Sequence, residues 1–322
     1  MSSQQPESVR SSVQLRPAFA GAPAGKPGLA GPVSEGGGSV YIVNKPPGPT
    51  SFAQVASLRR LLGIKKAGHA GTLDPDASGI LIILTGQATR AARYFEALDK
   101  EYLAVIKLGI TTDTYDLSGQ ILSTSDVPQF SWDEIEKALS SFRGSIRQAP
   151  PAFSAIKKDG QPLYKTARQG IAVELVPRLV EIRRINLESV ELPEITIIIK
   201  CSKGTYIRSL AFDLGKLLGC GAVLSKLVRT AVGEFTLDRA VSGNAGRAEL
   251  ASAALSIDQA LYFLESLELS PEQAQRISHG NQVECSHPDA GQIKARYQGQ
   301  ILALGTLQNN VFKPQAVLAP QC

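Results

Sequence analysis

The chain has 322 residues, 43% of them hydrophobic and 20% charged, with 34 Lys and Arg against 29 Asp and Glu. These figures describe a globular protein long enough for one large and one small domain, and they exclude a fibrous or low-complexity chain. No apolar run approaches the ~20 residues that cross a bilayer, so no membrane partner is expected, while the net charge of +5 suits a polyanion.

Residues 1–38 are rich in Ser, Gly, Pro and Ala and lack an apolar period, so they read as a disordered tail and linker. No secretory signal is visible there, which points to a cytoplasmic protein with reduced thiols. Folded structure is expected from Val40-Tyr41-Ile42-Val43, a short strand. Ser51 then reads as the N-cap of a helix with Phe52, Val55, Leu58 and Leu62 on its inner face and Gly63 at its end. Arg59, Arg60, Lys65 and Lys66 cluster at that end, where they balance the helix dipole and offer a phosphate-binding patch. The apolar run Ile80–Leu84 is a buried strand or helix, and Tyr102–Leu108 a strand.

Ser131-Trp132-Asp133-Glu134 is a capping box opening a helix with Ile135, Leu139 and Phe142 inward. Ile195–Ile199 is too continuous for a one-sided sheet and reads as a core strand. A helix with Ile207, Leu210, Leu214 and Leu217 inward follows it. Strands and helices mix without a regular βαβ repeat, which predicts an α+β fold with a mainly antiparallel mixed sheet flanked by helices. From about Leu267 the texture changes to a short helix opened by Ser270-Pro271-Glu272 and then short strands, among them Ile301–Gly305 and Val311–Pro314, as in a small β-barrel. The expected division is therefore a tail over 1–38, a large domain over 39–260 and a small domain over 267–322. Cys201, Cys220, Cys285 and Cys322 form no CxxC pair, and Cys285-Ser286-His287-Pro288-Asp289 reads as a polar surface loop, so no metal site is expected.

The chemistry-bearing segment is Gly68-His69-Ala70-Gly71-Thr72-Leu73-Asp74-Pro75, with Asp76 and Gly79 beyond it. It sets one carboxylate, Asp74, against backbone that a ligand can approach closely, since glycine has no Cβ, and Pro75 biases Asp74 toward an extended conformation. A turn whose Asp caps the next element would explain a lone G-x-x-D-P. It does not explain the whole string.

That string resembles the active-site motif of the bacterial tRNA pseudouridine-55 synthases, the TruB family. Further segments match in order: Asn44-Lys45-Pro46-Pro47-Gly48, Lys100-Glu101-Tyr102, Pro150-Pro151-Ala152-Phe153-Ser154-Ala155-Ile156-Lys157, and Cys201-Ser202-Lys203-Gly204-Thr205-Tyr206-Ile207-Arg208. Lys226-Leu227-Val228-Arg229-Thr230 is similar to a segment whose leucine lines the pocket. Two positions depart from the pattern: Ala70 stands where the family usually has Thr, and Asp76 where it often has an apolar residue.

The resemblance implies isomerisation of a T-loop uridine of tRNA, at position 55, to pseudouridine. Uracil is cut from the ribose at N1, turned, and rejoined through C5, which needs no cofactor. Asp74 would be the catalytic carboxylate, as nucleophile or base. His69 would brace the gap left by the flipped base. Tyr102 would stack on the uracil, Tyr206 would floor the pocket, Arg208 would hold Asp74 ionised, and Leu227 would line the site. Lys45 would contact phosphate or support the active loop. The C-terminal barrel resembles the PUA module of RNA-modifying enzymes. The expected partner is the T-arm of tRNA, and the expected state a monomer. Two other classes compete. A tRNA-folding protein could keep this fold without catalysis, and a glycoside hydrolase could use Asp74 with Asp76, although its acids flank the sugar from opposite sides.

Overall fold

Strands β1 (Val40–Lys45) and β3 (Ser78–Thr85) pair antiparallel from Val40↔Leu84 to Lys45↔Gly79. Their alternate residues enter two different cores: Tyr41, Val43, Leu81 and Ile83 on one face, Val40, Ile42, Ile80 and Ile82 on the other. A strand covered on both faces needs an unbroken apolar run, which is why Ile80–Leu84 is a strand and not half of an amphipathic helix. The structure, a computed structural model, describes residues 38–151, 157–158, 161–162 and 176–318. The expected tail up to residue 37, residues 152–156 of the Pro150–Lys157 run, and Cys322 lie outside them.

Between these strands lie helix α1 (Ser51–Leu62) and strand β2 (Ala67–Ala70). After β3 come α2 (Ala92–Glu96), β4 (Lys100–Leu108), and the hairpin β5 (Ile110–Thr112) and β6 (Ile121–Thr124). Helix α3 (Trp132–Ser140) has the expected capping box, Ser131 with Glu134, and buries Ile135 and Leu139. Next are β7 (Gly144–Gln148), the short pair β8 (Lys157–Lys158) and β9 (Gln161–Pro162), then β10 (Arg178–Glu191) and β11 (Glu194–Cys201). Helix α4 (Ile207–Leu218) and strand β12 (Ala222–Val232) follow, with β13 (Phe235–Thr236) and β14 (Val241–Ser242).

Among the described residues the main sheet has ten strands. Its path is β14-β1-β3-β12-β4-β11-β10-β7, with β2 added to β3 and β13 to β12. Only β1–β14 and β3–β12 are parallel, so the α+β, mainly antiparallel architecture holds. Strand β3 gives its first two residues to β12, through Val228↔Ser78 and Arg229↔Gly79, and its last four to β2. The chain between β2 and β3 therefore leaves the sheet beside this two-residue joint.

Three local expectations are corrected. Thr50, not Ser51, caps α1, its side chain accepting from the Ala53 amide at 3.0 Å. Ser51 turns inward instead, so the buried stripe is Ser51, Gln54, Val55 and Leu58, and Phe52 is left 75% exposed. In α4 the stripe Ile207, Leu210, Ala211 and Leu214 leaves Leu217 outside. Strand β11 is central in the sheet, but its burial alternates: Ile195, Ile197 and Ile199 are fully buried, while Thr196 and Ile198 are not. β-Branched residues suit a pleated surface on either face, so their continuity does not prove two-sided burial.

Short helices α5 (Arg247–Ser252) and α6 (Ile257–Ala260) lead to a second sheet of five strands. It contains β15 (Glu265–Glu268), β16 (Val283–Glu284), β17 (Gly291–Tyr297), β18 (Gln300–Gln308) and β19 (Val311–Val317), with helix α7 (Pro271–Ser278) between β15 and β16. The boundary expected at residue 267 falls inside β15. This sheet fits a small PUA-like barrel. It has its own core around Ile277, Ile293, Leu307 and Phe312. Leu304 and Leu318 instead join Tyr94, Phe95 and Ile82 in the core behind the main sheet. Arg90 donates to the Val317 carbonyl across the same seam.

Candidate active site

The segment from Gly71 to Ala77 is held from three sides by side chains distant in sequence. Ser51 Oγ accepts from the Leu73 amide at 2.8 Å and donates to the Leu73 carbonyl at 2.9 Å, as a neighbouring strand would. Lys45 is fully buried and spends its ammonium protons on the carbonyls of Pro46, Pro49 and Pro75 at 2.9–3.0 Å. Of the two roles considered for Lys45, this geometry serves loop support and leaves no donor for phosphate. Burial lowers its pKa, with Asp76 and Asp74 opposing that. Arg229 is 1% exposed and donates to Ile80 O at 2.6 Å, Gly71 O at 3.0 Å and Thr72 O at 3.4 Å. With Leu73 and Ala77 buried beneath it, the loop has little freedom left.

Asp74 faces a cavity of about 520 Å³, a size that admits a nucleoside. Arg208, in the first turn of α4, meets it with two nitrogens: Nε lies 3.0 Å from Oδ2 and Nη2 3.3 Å from Oδ1. The arginine is 8% exposed and the aspartate 43%, so the cation is set in protein while the carboxylate opens onto the cavity. Arg208 is braced from behind by Asp116, with Oδ2 3.4 Å from Nη1, and by the Thr114 carbonyl at 3.1 Å. Asp116 is itself held, its Oδ1 accepting from Thr114 Oγ1 and Ser118 Oγ at 2.6 Å. Burial raises the Asp74 carboxyl above its ordinary value; Arg208 opposes this, Asp116 and Asp76 reinforce it, and Lys45 opposes it. A carboxylate less stable than usual, yet aimed by a fixed guanidinium, is suited to attack carbon or take a proton.

Tyr102 on β4, Tyr206 at the N-terminus of α4 and Leu227 on β12 line the same cavity. Tyr102 is buried, which raises its phenol pKa. Gln148 fixes the turn before α4: its amide donates to Tyr206 O at 2.9 Å and accepts from Tyr206 N at 2.7 Å. His69 is half-buried on β2 and outside the cavity lining, and its Nδ1 has no partner among the described residues. Burial, and then Arg229, lower its pKa, which keeps the ring neutral. Neither departure from the motif lines the cavity, although the Asp76 charge helps to raise the Asp74 pKa. Ala70 is buried against β3, and Asp76 is exposed. Cys285 is buried, and no cluster of three metal-ligating groups exists among the described residues.

Sequence reasoning missed Asp116, Gln148 and Arg229. Arg229 had a signal: a cation near the apolar end of the strand Ala222–Val232 must find buried acceptors if it faces inward. Asp116 and Gln148 had none, because their partners are fixed by tertiary packing.

The family model described as TruB family pseudouridylate synthase (N terminal domain) matches residues 59–207, and that of the tRNA pseudouridylate synthase B C-terminal domain matches residues 208–260. A protein named tRNA pseudouridine synthase B from Azoarcus sp. (strain BH72) is 39% identical over 88% of this chain and 95% of its own length. The chain belongs to the TruB family. Another TruB member, tRNA pseudouridine synthase B of Opitutus terrae, is 49% identical over 63% of this chain and 84% of its own length. The fold also matches the solved structure titled "Crystal Structure of a Cbf5-Nop10-Gar1 Complex", with a TM-score of 0.67 and 24% identity, covering 88% of this chain and 85% of that one. Asp74, Tyr102, Tyr206 and Arg208 all line the one cavity.

Proposed function

We propose that this TruB-family chain isomerises a uridine of tRNA to pseudouridine, with Asp74 as the reacting carboxylate. The observation that carries the reading is the two-nitrogen grip of Arg208 on Asp74 at the wall of a nucleoside-sized cavity. The glycosidic N1–C1′ bond breaks, the uracil turns within the cavity, and C5 bonds to C1′. The C5 proton then leaves and N1 gains one, so the sum of atoms is unchanged. Asp74 attacks the ribose or the base, or removes a sugar proton; each of these needs it ionised. Tyr102 offers the flipped base a flat face, Tyr206 and Leu227 complete the walls, and His69 braces the RNA from outside the cavity.

The proposal extends to the T-loop uridine at position 55 as target. The exposed Arg59, Arg60, Lys65 and Lys66 contact T-arm phosphates, and the span from 267 to 322 is a PUA-like RNA-binding domain beside a catalytic domain over 39–260. It includes a monomer working in the cytoplasm. Binding without catalysis is not favoured, because the carboxylate and its arginine are both in place. The test is incubation with unmodified tRNA transcript and no additive, followed by nucleoside mapping. One pseudouridine in the T loop is expected, and Asp74→Ala should abolish it while leaving RNA affinity nearly intact. Tight binding without product would overturn the catalytic reading.

A further inference from the structure

Helix α4 presents Arg208 and Phe212, four residues apart and so on one face. The loop between β5 and β6 meets that face with consecutive residues. Tyr115 stacks on Phe212, ring centroids 4.1 Å apart and planes 18° apart. Asp116, the next residue, reaches Arg208. In an extended chain neighbouring side chains point to opposite sides, and the two could not both dock on one helix face. Tyr115 avoids this with a left-handed backbone, φ 64°. That conformation is unfavourable for a non-glycine residue, and the stacked aromatic pair offsets its cost. The Leu224 amide donates to the Tyr115 carbonyl at 2.9 Å, so the loop is also stitched to β12 at this residue.

We propose that Tyr115 is a positioning residue for the Asp74–Arg208 pair. Its stack on Phe212 clamps the loop to α4, so that Asp116 and the Thr114 carbonyl hold the guanidinium turned toward Asp74. The inference rests on Asp74 being the reacting carboxylate. It concerns a residue outside the cavity lining, and it assigns to the ring a task that the ion pair alone does not perform.

The test compares Tyr115→Ala and Tyr115→Phe with the unaltered chain. Single-turnover pseudouridine formation should slow about tenfold in Tyr115→Ala, stay within twofold in Tyr115→Phe, and leave the Kd for tRNA unchanged in both. Equal rates for Tyr115→Ala and the unaltered chain would overturn the proposal. Equal slowing in both variants would also overturn it, by assigning the effect to the hydroxyl. A second measurement needs no turnover: titration of the Asp74 carboxyl in the free protein by carbon-13 NMR. The groups acting on Asp74 are Arg208, Asp116, Asp76 and Lys45. Loosening Arg208 should move the Asp74 midpoint upward in Tyr115→Ala and not in Tyr115→Phe. An unmoved midpoint would sink the positioning role. If the unaltered chain forms no pseudouridine, the catalytic reading fails by itself, and the titration still decides the role of Tyr115.

Discussion

Gly79 and Arg229 pair across the two-residue joint of β3 and β12, so tightly that a β-carbon on Gly79 would lie 2.2 Å from the Arg229 carbonyl oxygen. Gly79 also has φ 104°, which side chains with a β-carbon rarely adopt. Gly79→Ala should therefore destabilise the fold by about 3 kcal/mol or more, read as a fall in thermal midpoint. A melt within a degree of the unaltered chain would show that the joint yields.

Arg208→Lys keeps the charge and removes the fork that grips both Asp74 oxygens and the Asp116 side. We expect kcat to fall by about a hundredfold, ~2.7 kcal/mol in the barrier, with tRNA affinity unchanged. Near-normal kcat would mean that only charge, not orientation, is supplied by this residue.

The pH dependence follows from the raised Asp74 pKa, which burial causes and Arg208 only partly offsets. Activity requires the ionised form, so the acid limb of kcat/KM should lie above the range of an ordinary aspartate. Stability has the opposite sign. A carboxyl with a raised folded-state pKa favours folding while protonated, and that contribution disappears as pH rises through the folded-state value. Asp74→Asn, neutral throughout, should melt higher than the unaltered chain at neutral pH. The gap should close on acidification, since Arg208 keeps Asp116 and the Thr114 carbonyl. A gap that widens in acid would contradict this account.

Replacing Arg59, Arg60, Lys65 and Lys66 by Ala should weaken tRNA binding. The slope of log Kd against log salt should fall by about one for each phosphate that is no longer neutralised. All four side chains are exposed, so the melting temperature should hardly move. An unchanged slope would remove this patch from the RNA interface.

Removing the chain after Leu267 should lower the thermal midpoint as well as RNA affinity. Leu304 and Leu318 fill the core behind β1 and β3 together with Tyr94 and Phe95. Truncation would open that core, at several kcal/mol for the pair of leucines. An unaltered melt would show that the second sheet only rests on the first.

What the sequence made legible was local. The Ser131–Glu134 capping box and the Gly63 helix end are properties of contiguous residues, and each has a short-range cause; the run Ile80–Leu84 was legible as buried but not as a strand, since an unbroken apolar run suits a buried helix equally well. The resemblance named Asp74, Tyr102, Tyr206 and Arg208 from three separate segments, and all four line one cavity. The inward turn of Ser51 could not be read, since its partner Leu73 is 22 residues away and its own position suits a helix cap equally well. Asp116 was hidden for the same reason: in the sequence it is one aspartate in a polar turn, and only the docking of that turn on α4 gives it Arg208.

The Asp74 loop also bears on engineering. Its carbonyls at Gly71, Thr72, Leu73 and Pro75 are gripped by Arg229, Ser51 and Lys45, none of which belongs to the string from Gly68 to Gly79. The twelve-residue signature is thus not a portable part. Transplanted alone into another scaffold, it would carry the acid without its aim, and a working graft would have to bring three remote side chains and the strand joint with it.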